Sequence, residues 1–185
     1  MELIRGNWTI NSSEVKYDNP WIKVTEHQVI NPSGNNGIYG EVHFKNIAIG
    51  IVALDDQDNI YMVNQFRFVL NQDSLEIPEG GGSLEIDPLL SAKRELKEET
   101  GLVANSWEKL MELHLSNSVS NEKAIIYLAK DLHQGEMDLE ETEDIVVSKL
   151  SLKEAYELVN EHKITDAISV AAILKLYILQ FENKR

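Results

Sequence analysis

The chain contains no cysteine. Disulfides and thiolate-held zinc are excluded, and a reducing compartment suits such a composition. Basic residues are scarce. Lys and Arg number 17 against 31 Asp and Glu, a formal net charge of −14. Nucleic acid and anionic lipid surfaces call for clustered positive charge, so neither is expected as a partner. An anionic substrate would need bound cations or local arginines to overcome this field. Long apolar runs are also missing. "AISVAAILKLYILQF" comes closest to a membrane span, but Lys175 interrupts it and Asp166 precedes it, so a docked C-terminal helix is expected. The opening "MELIRGNW" lacks the apolar core of a signal peptide. These absences together lead us to expect a cytoplasmic protein. No internal repeat and no low-complexity linker breaks the chain.

What is present is enough for a core. Hydrophobic residues make up 43% of 185 positions, a globular composition. The first half alternates β-branched and aromatic runs with turn signals. "WTINSSEVKY", "WIKVTEHQVI", "GIYGEVHF", "IAIGIVAL" and "NIYMVNQFRFVL" are expected as strands, separated by "DNP", "NPSGNNG" and "DDQDN". "IAIGIVAL" is almost continuously apolar, as a buried central strand would be. The period then changes. Asp87 is a good N-cap, Pro88 suits the first helical position, and Leu89, Ala92 and Leu96 form an apolar stripe. Gly101 is placed to end this helix. Strands are expected again in "WEKLMELHL", "KAIIYLAKDL" and "IVVSKL". A helix follows from Ser151, with Glu154 completing a capping box, and another from about Asp166 to Phe181. The order of strands, helix, strands, helices indicates an α+β fold.

The helix after Pro88 carries Glu95, Glu98 and Glu99 within one turn and a half. Like charges at that spacing repel by a few tenths of a kcal/mol per pair, roughly. They also lie near the C-terminal end, where the helix dipole disfavours anions. A hard divalent cation would remove both penalties. On the helix alone two readings stand: such a cage, or a solvated acidic face with Lys93 and Lys97 as ordinary partners. The run "GGG" just upstream favours the first, because glycine lets backbone come close to a phosphate or a metal. It is no Walker loop, lacking Gly-Lys-Ser/Thr.

Gly80, Arg94, Glu95, Leu96, Glu98, Glu99, Gly101 and Leu102 follow the spacing of the Nudix box, and the chain resembles the Nudix hydrolases. Ile86 stands where the box has a glutamate, with Glu85 beside it. "VNQFRFVLNQDSLEIPEGG" before the box, and the acidic loop, strand and helix pair after it, resemble the ADP-ribose and nucleoside-diphosphate-sugar pyrophosphatases. The likeness implies an α/β/α sandwich with a mixed sheet over residues 45–185. Residues 1–44 would then be an N-terminal antiparallel β region serving dimerisation and base binding.

The resemblance also implies roles. Glu95 and Glu99 would be the main Mg²⁺ ligands, with Mn²⁺ a possible substitute. Glu98 and the Glu79 carbonyl would assist. Arg94 would brace helix and loop, with substrate contact the lesser alternative, and Gly80 and Gly101 would be structural. Arg67 would grip phosphate oxygens bidentately, or else be an edge-strand arginine in solvent. Glu76 either faces the site or pairs with a lysine. Glu141 or Glu143, in "LEETED", would be the general base, or that loop is merely solvated. Glu122 is a candidate for metal or sugar contact. Trp21, like Trp8 and Tyr39, could stack on a nucleobase or simply line core or dimer interface. His27, His43, His114, His133 and His162 show no clustered spacing, and most of them are expected at the surface or half-buried. ADP-ribose-selective relatives tend to carry a proline about fifteen residues past the box. Asn117 and Ser118 occupy that neighbourhood here, which favours a broader range of nucleoside diphosphate sugars, of GDP-mannose or UDP- and ADP-hexose type. The expected protein is a homodimeric Mg²⁺-dependent pyrophosphatase; the alternative is a non-catalytic nucleotide-sugar-binding module.

Overall fold

In the computed structural model, residues 3–135 and 144–183 are described. The β-branched and aromatic runs near the N-terminus pair with their neighbours in sequence. The strands β1 (Leu3–Arg5), β2 (Trp8–Asp18), β3 (Ile22–Ile30) and β4 (Asn36–Phe44) form one sheet in that order, with every pair antiparallel. The turn at "DNP" is set by Asn19, whose side-chain oxygen accepts from the backbone N–H groups of Trp21 and Ile22. This sheet belongs to the first of two compact units, residues 1–47 with 114–123.

The second unit takes in 48–113 and 124–185. Its strands are β5 (Asn46–Ala53), β6 (Asn59–Arg67), β7 (Gln72–Glu76), β8 (Glu79–Ser83), β9 (Leu102–His114), β10 (Lys123–Gln134) and β11 (Val146–Ser151). Some of these begin or end in the first unit. One sheet runs β8-β5-β10-β9, the other β11-β6-β7. β5 and β10 are parallel neighbours at the centre of the first. Ile49, Ile51, Val52 and Ala53 on β5 are fully buried, as a nearly continuous apolar strand in a central place must be. Each large aliphatic side chain buried in this way contributes about 1.5–3 kcal/mol.

Among the described residues three helices complete the fold: α1 (Pro88–Thr100), α2 (Leu152–Asn160) and α3 (Ala167–Asn183). The expected caps form. Asp87 accepts from the Leu89 N–H with Pro88 at the first turn, and Gly101 closes α1 at φ 70° with its N–H on the Lys97 carbonyl. Ser151 and Glu154 make the reciprocal capping box of α2. The α+β class is as expected.

Two elements differ from the sequence pattern. The strand expected through Leu70 stops at Arg67, because the chain reverses there, with Asn71 at φ 53°. The glycine run, expected as a loop, is the edge strand β8. Glycine is poor at making strands by itself, and here the pairing with β5 and the packing of α1 override that preference.

Candidate functional site

The side chains of α1 that face inward are not all apolar. Ser91, Ala92, Glu95, Leu96, Glu99 and Thr100 form its buried stripe. Glu95 is 5% exposed and Glu99 1%, so neither belongs to a solvated acidic face. Burying ionised carboxylates costs several kcal/mol, roughly, unless donors or cations meet them. Glu99 accepts from the backbone N–H of Glu79 at 2.9 Å. Arg94 pairs with both Glu95 and Glu98 and donates to the Gly81 carbonyl at 2.9 Å, joining helix to strand. Gly80 lies directly under Glu95. A Cβ at that position would stand 2.2 Å from the Glu95 carboxyl carbon. Only glycine leaves room for the carboxylate.

These oxygens come from two buried glutamates, a half-buried third and the adjoining strand. They are the hard, anionic donors that Mg²⁺ or Mn²⁺ takes. The residues therefore fit a divalent cation on their chemistry. Ile86 lies exposed in the turn before α1 and offers no oxygen from its side chain.

A second constellation lies where β6, β7, β8 and the start of α3 meet. Arg67 is half-buried on the middle strand of its sheet, not at an edge. Its Nε donates to both oxygens of Glu76, at 3.0 and 3.1 Å, and its Nη2 reaches Glu79 at 2.5 Å. Glu76 is buried, with Arg67 and Gln65 as its partners. Burial, together with Asp166 and Glu76, pushes the Glu79 carboxyl well above the usual carboxylate range, against the pull of Arg67. These groups line an open cavity of about 460 Å³ rimmed by Phe66, Phe68, Val69 and Leu70. Sequence reasoning saw Asp166 only as the start of the last helix. Its Oδ2 does cap α3, accepting from the Ser169 N–H at 2.7 Å. Nothing local could have shown that the fold brings it beside Glu79, far away in the chain.

Of the remaining candidates, Trp21 is exposed in the first unit and Glu122 is half-buried there; burial raises the Glu122 pKa. Trp8 and Tyr39 meet edge to face at 5.3 Å. They line a cavity of about 260 Å³ with Arg5, His27, Glu41 and the 117–121 loop. His27 is the exception among the histidines: it is buried, between Ser13 and Glu41. Glu141 and Glu143 lie outside the described residues.

The glycine strand β8 and the buried glutamates of α1 thus bring backbone and carboxylate oxygens together. The NUDIX domain model matches residues 44–171, and the model of the nucleoside diphosphate sugar hydrolase N-terminal domain matches 8–42. The chain belongs to the NUDIX family. An ADP-ribose pyrophosphatase of Bacillus subtilis (strain 168) is 32% identical over 71% of this chain and 72% of its own length. An ADP-ribose pyrophosphatase of Mycobacterium tuberculosis is 34% identical over 70% of this chain and 64% of its own. The methanol dehydrogenase activator of Bacillus methanolicus is 33% identical over 71% and 72%. A solved ADP compounds hydrolase matches the fold with a TM-score of 0.85 at 21% identity, over 95% of both chains.

Proposed function

We propose that this chain is a Mg²⁺-dependent hydrolase of nucleoside diphosphate sugars. It cuts the diphosphate to release a nucleoside monophosphate and a sugar phosphate. The close approach of the Glu95 carboxylate to Gly80 carries the reading, because that fit has no use in a merely acidic surface helix. The kinship with ADP-ribose pyrophosphatases and the matched N-terminal model support the diphosphate substrate and the sugar.

In this reading Glu95 and Glu99, with Glu98 and the Glu79 carbonyl, hold Mg²⁺, or Mn²⁺ in its place. A bound ion of this kind neutralises phosphate oxygens and lowers the pKa of a water. Arg94 keeps α1 and β8 in register for that task. Arg67, oriented by Glu76 and Glu79, grips the diphosphate. Glu141 or Glu143 takes the proton from the attacking water. Glu122 serves the metal or a sugar hydroxyl, and Trp21 offers a face to the nucleobase. The absence of proline at Asn117 and Ser118 supports a range wider than ADP-ribose alone. Exposed Leu3, Ile4, Val15, Tyr17 and Ile38 on the N-terminal strands support a homodimer. A cytoplasmic setting accords with the lack, among the described residues, of any helix long and apolar enough to cross a membrane.

The test is incubation with Mg²⁺ and a panel of ADP-, GDP- and UDP-sugars, reading phosphate freed only after added phosphatase. Turnover of at least one member is expected. Glu99→Gln should lose it by about 100-fold or more, the several kcal/mol that a metal's charge supplies. Ile86 supports the alternative, a non-catalytic nucleotide-sugar binder. Tight binding of a panel member with no turnover would decide for it.

A further inference from the structure

The carboxylates of Glu76, Glu79 and Asp166 converge outside the box helix. From this convergence we infer a second divalent-cation site, separate from the α1 glutamates. One oxygen from each residue lies within 4.8 Å of the others. A single hard cation binds oxygens at about 2.0–2.6 Å, so ligands on opposite sides of it stand about 4–5 Å apart. The three donors therefore already stand at the spacing of one coordination sphere. They come from the end of β7, the start of β8 and the residue just before α3, three places that the fold brings together.

Two further observations point to a cation. The Oε2 of Glu79 is buried and has no hydrogen-bond partner. An orphaned buried acceptor of this kind costs about 1–3 kcal/mol or more for a charged group, and a metal bond would remove that cost. Charge gives the second. Arg67 brings one positive charge against three carboxylates. A divalent ion leaves the group neutral. The cavity above it is open, so water or a ligand oxygen can complete the shell, as Mg²⁺ and Mn²⁺ require. The site touches the box through one residue: the Glu79 side chain faces this cluster while its backbone N–H binds Glu99. The inference rests on this geometry and not on the identity of any substrate.

Mn²⁺ titration of the full chain, with free Mn²⁺ read by electron paramagnetic resonance, tests it without turnover. Asp166→Asn should bind one Mn²⁺ fewer per chain than the unmodified protein. Asparagine caps a helix as well as aspartate, so its melting temperature in chelator should be unchanged. Should that variant fail to fold, Glu79→Gln keeps the side-chain shape and the backbone N–H to Glu99 and should lose the same ion. Unaltered Mn²⁺ stoichiometry in the folded variant would overturn the inference and leave Arg67 as the cluster's counter-ion.

Discussion

Glu95 and Gly80 act as one unit, since the carboxylate occupies the space that any other residue at 80 would fill. The clash for Gly80→Ala falls on the far end of a flexible side chain. The fold should therefore survive while Glu95 moves. The expected outcome is a rate lowered by about 10–100-fold, on the scale of a 1 Å misplacement, with little change in melting temperature; kinetics and calorimetry on one preparation check it. Asp55 shows the opposite balance between burial and partners. Burial works to raise its pKa, but Lys149, Asn59 and Gln57 donate to it and hold it well below the usual carboxylate range. A depressed acid stabilises the fold above its unfolded pKa, about 4. That stabilisation is lost as pH falls towards the folded value. The stability gap between the unmodified protein and Asp55→Asn should accordingly be full at neutral pH and shrink below about pH 4. Urea midpoints measured across that range would show it, and a constant gap would count against it. Neither effect could be read from residue type. Glu95 and Glu98 look alike in sequence, and only the packing of α1 buries the first far more deeply than the second.

At the scale of elements, α1 was the most legible piece of the chain. Its cap, first-turn proline and closing glycine are local signals, and all are realised; of the apolar stripe Ala92 and Leu96 are buried, while Leu89 is only half-buried. Gly101 sits at φ 70°, where an alanine is strained by roughly 1–2 kcal/mol. Gly101→Ala should therefore lower the melting temperature by a few degrees, about 2–4 °C per kcal/mol for a chain of this size, with cation binding intact. The strands were legible where alternation and β-branching agree, as in β3 and β5. They were not legible at β8, whose glycines carry no strand preference and are drawn into the sheet by a neighbour that is itself central. The turn after Arg67 was hidden for a different reason. "FVL" reads as strand by composition, yet Phe68 and Val69 are 89% and 93% exposed, and only the antiparallel pairing of β6 with β7 requires the reversal there.

For the whole molecule, the proposal with the clearest outcome is the dimer. Ile4 and Ile38 are 70% and 67% exposed, so glutamate at both places costs the monomer little. Sedimentation should find the unmodified protein as a dimer and the double variant Ile4→Glu, Ile38→Glu shifted to monomer with its spectrum of secondary structure retained. A monomer in both would end the proposal. Sequence by itself determined the class of fold, the family, the acidic helix and its ends, because these rest on period, capping and spacing within a short stretch of chain. The tertiary structure alone decided which glutamates are buried and what Arg67 holds. It also set Asp166 beside Glu79. Burial and long-range contact depend on what arrives from elsewhere in the chain, and no local pattern encodes that.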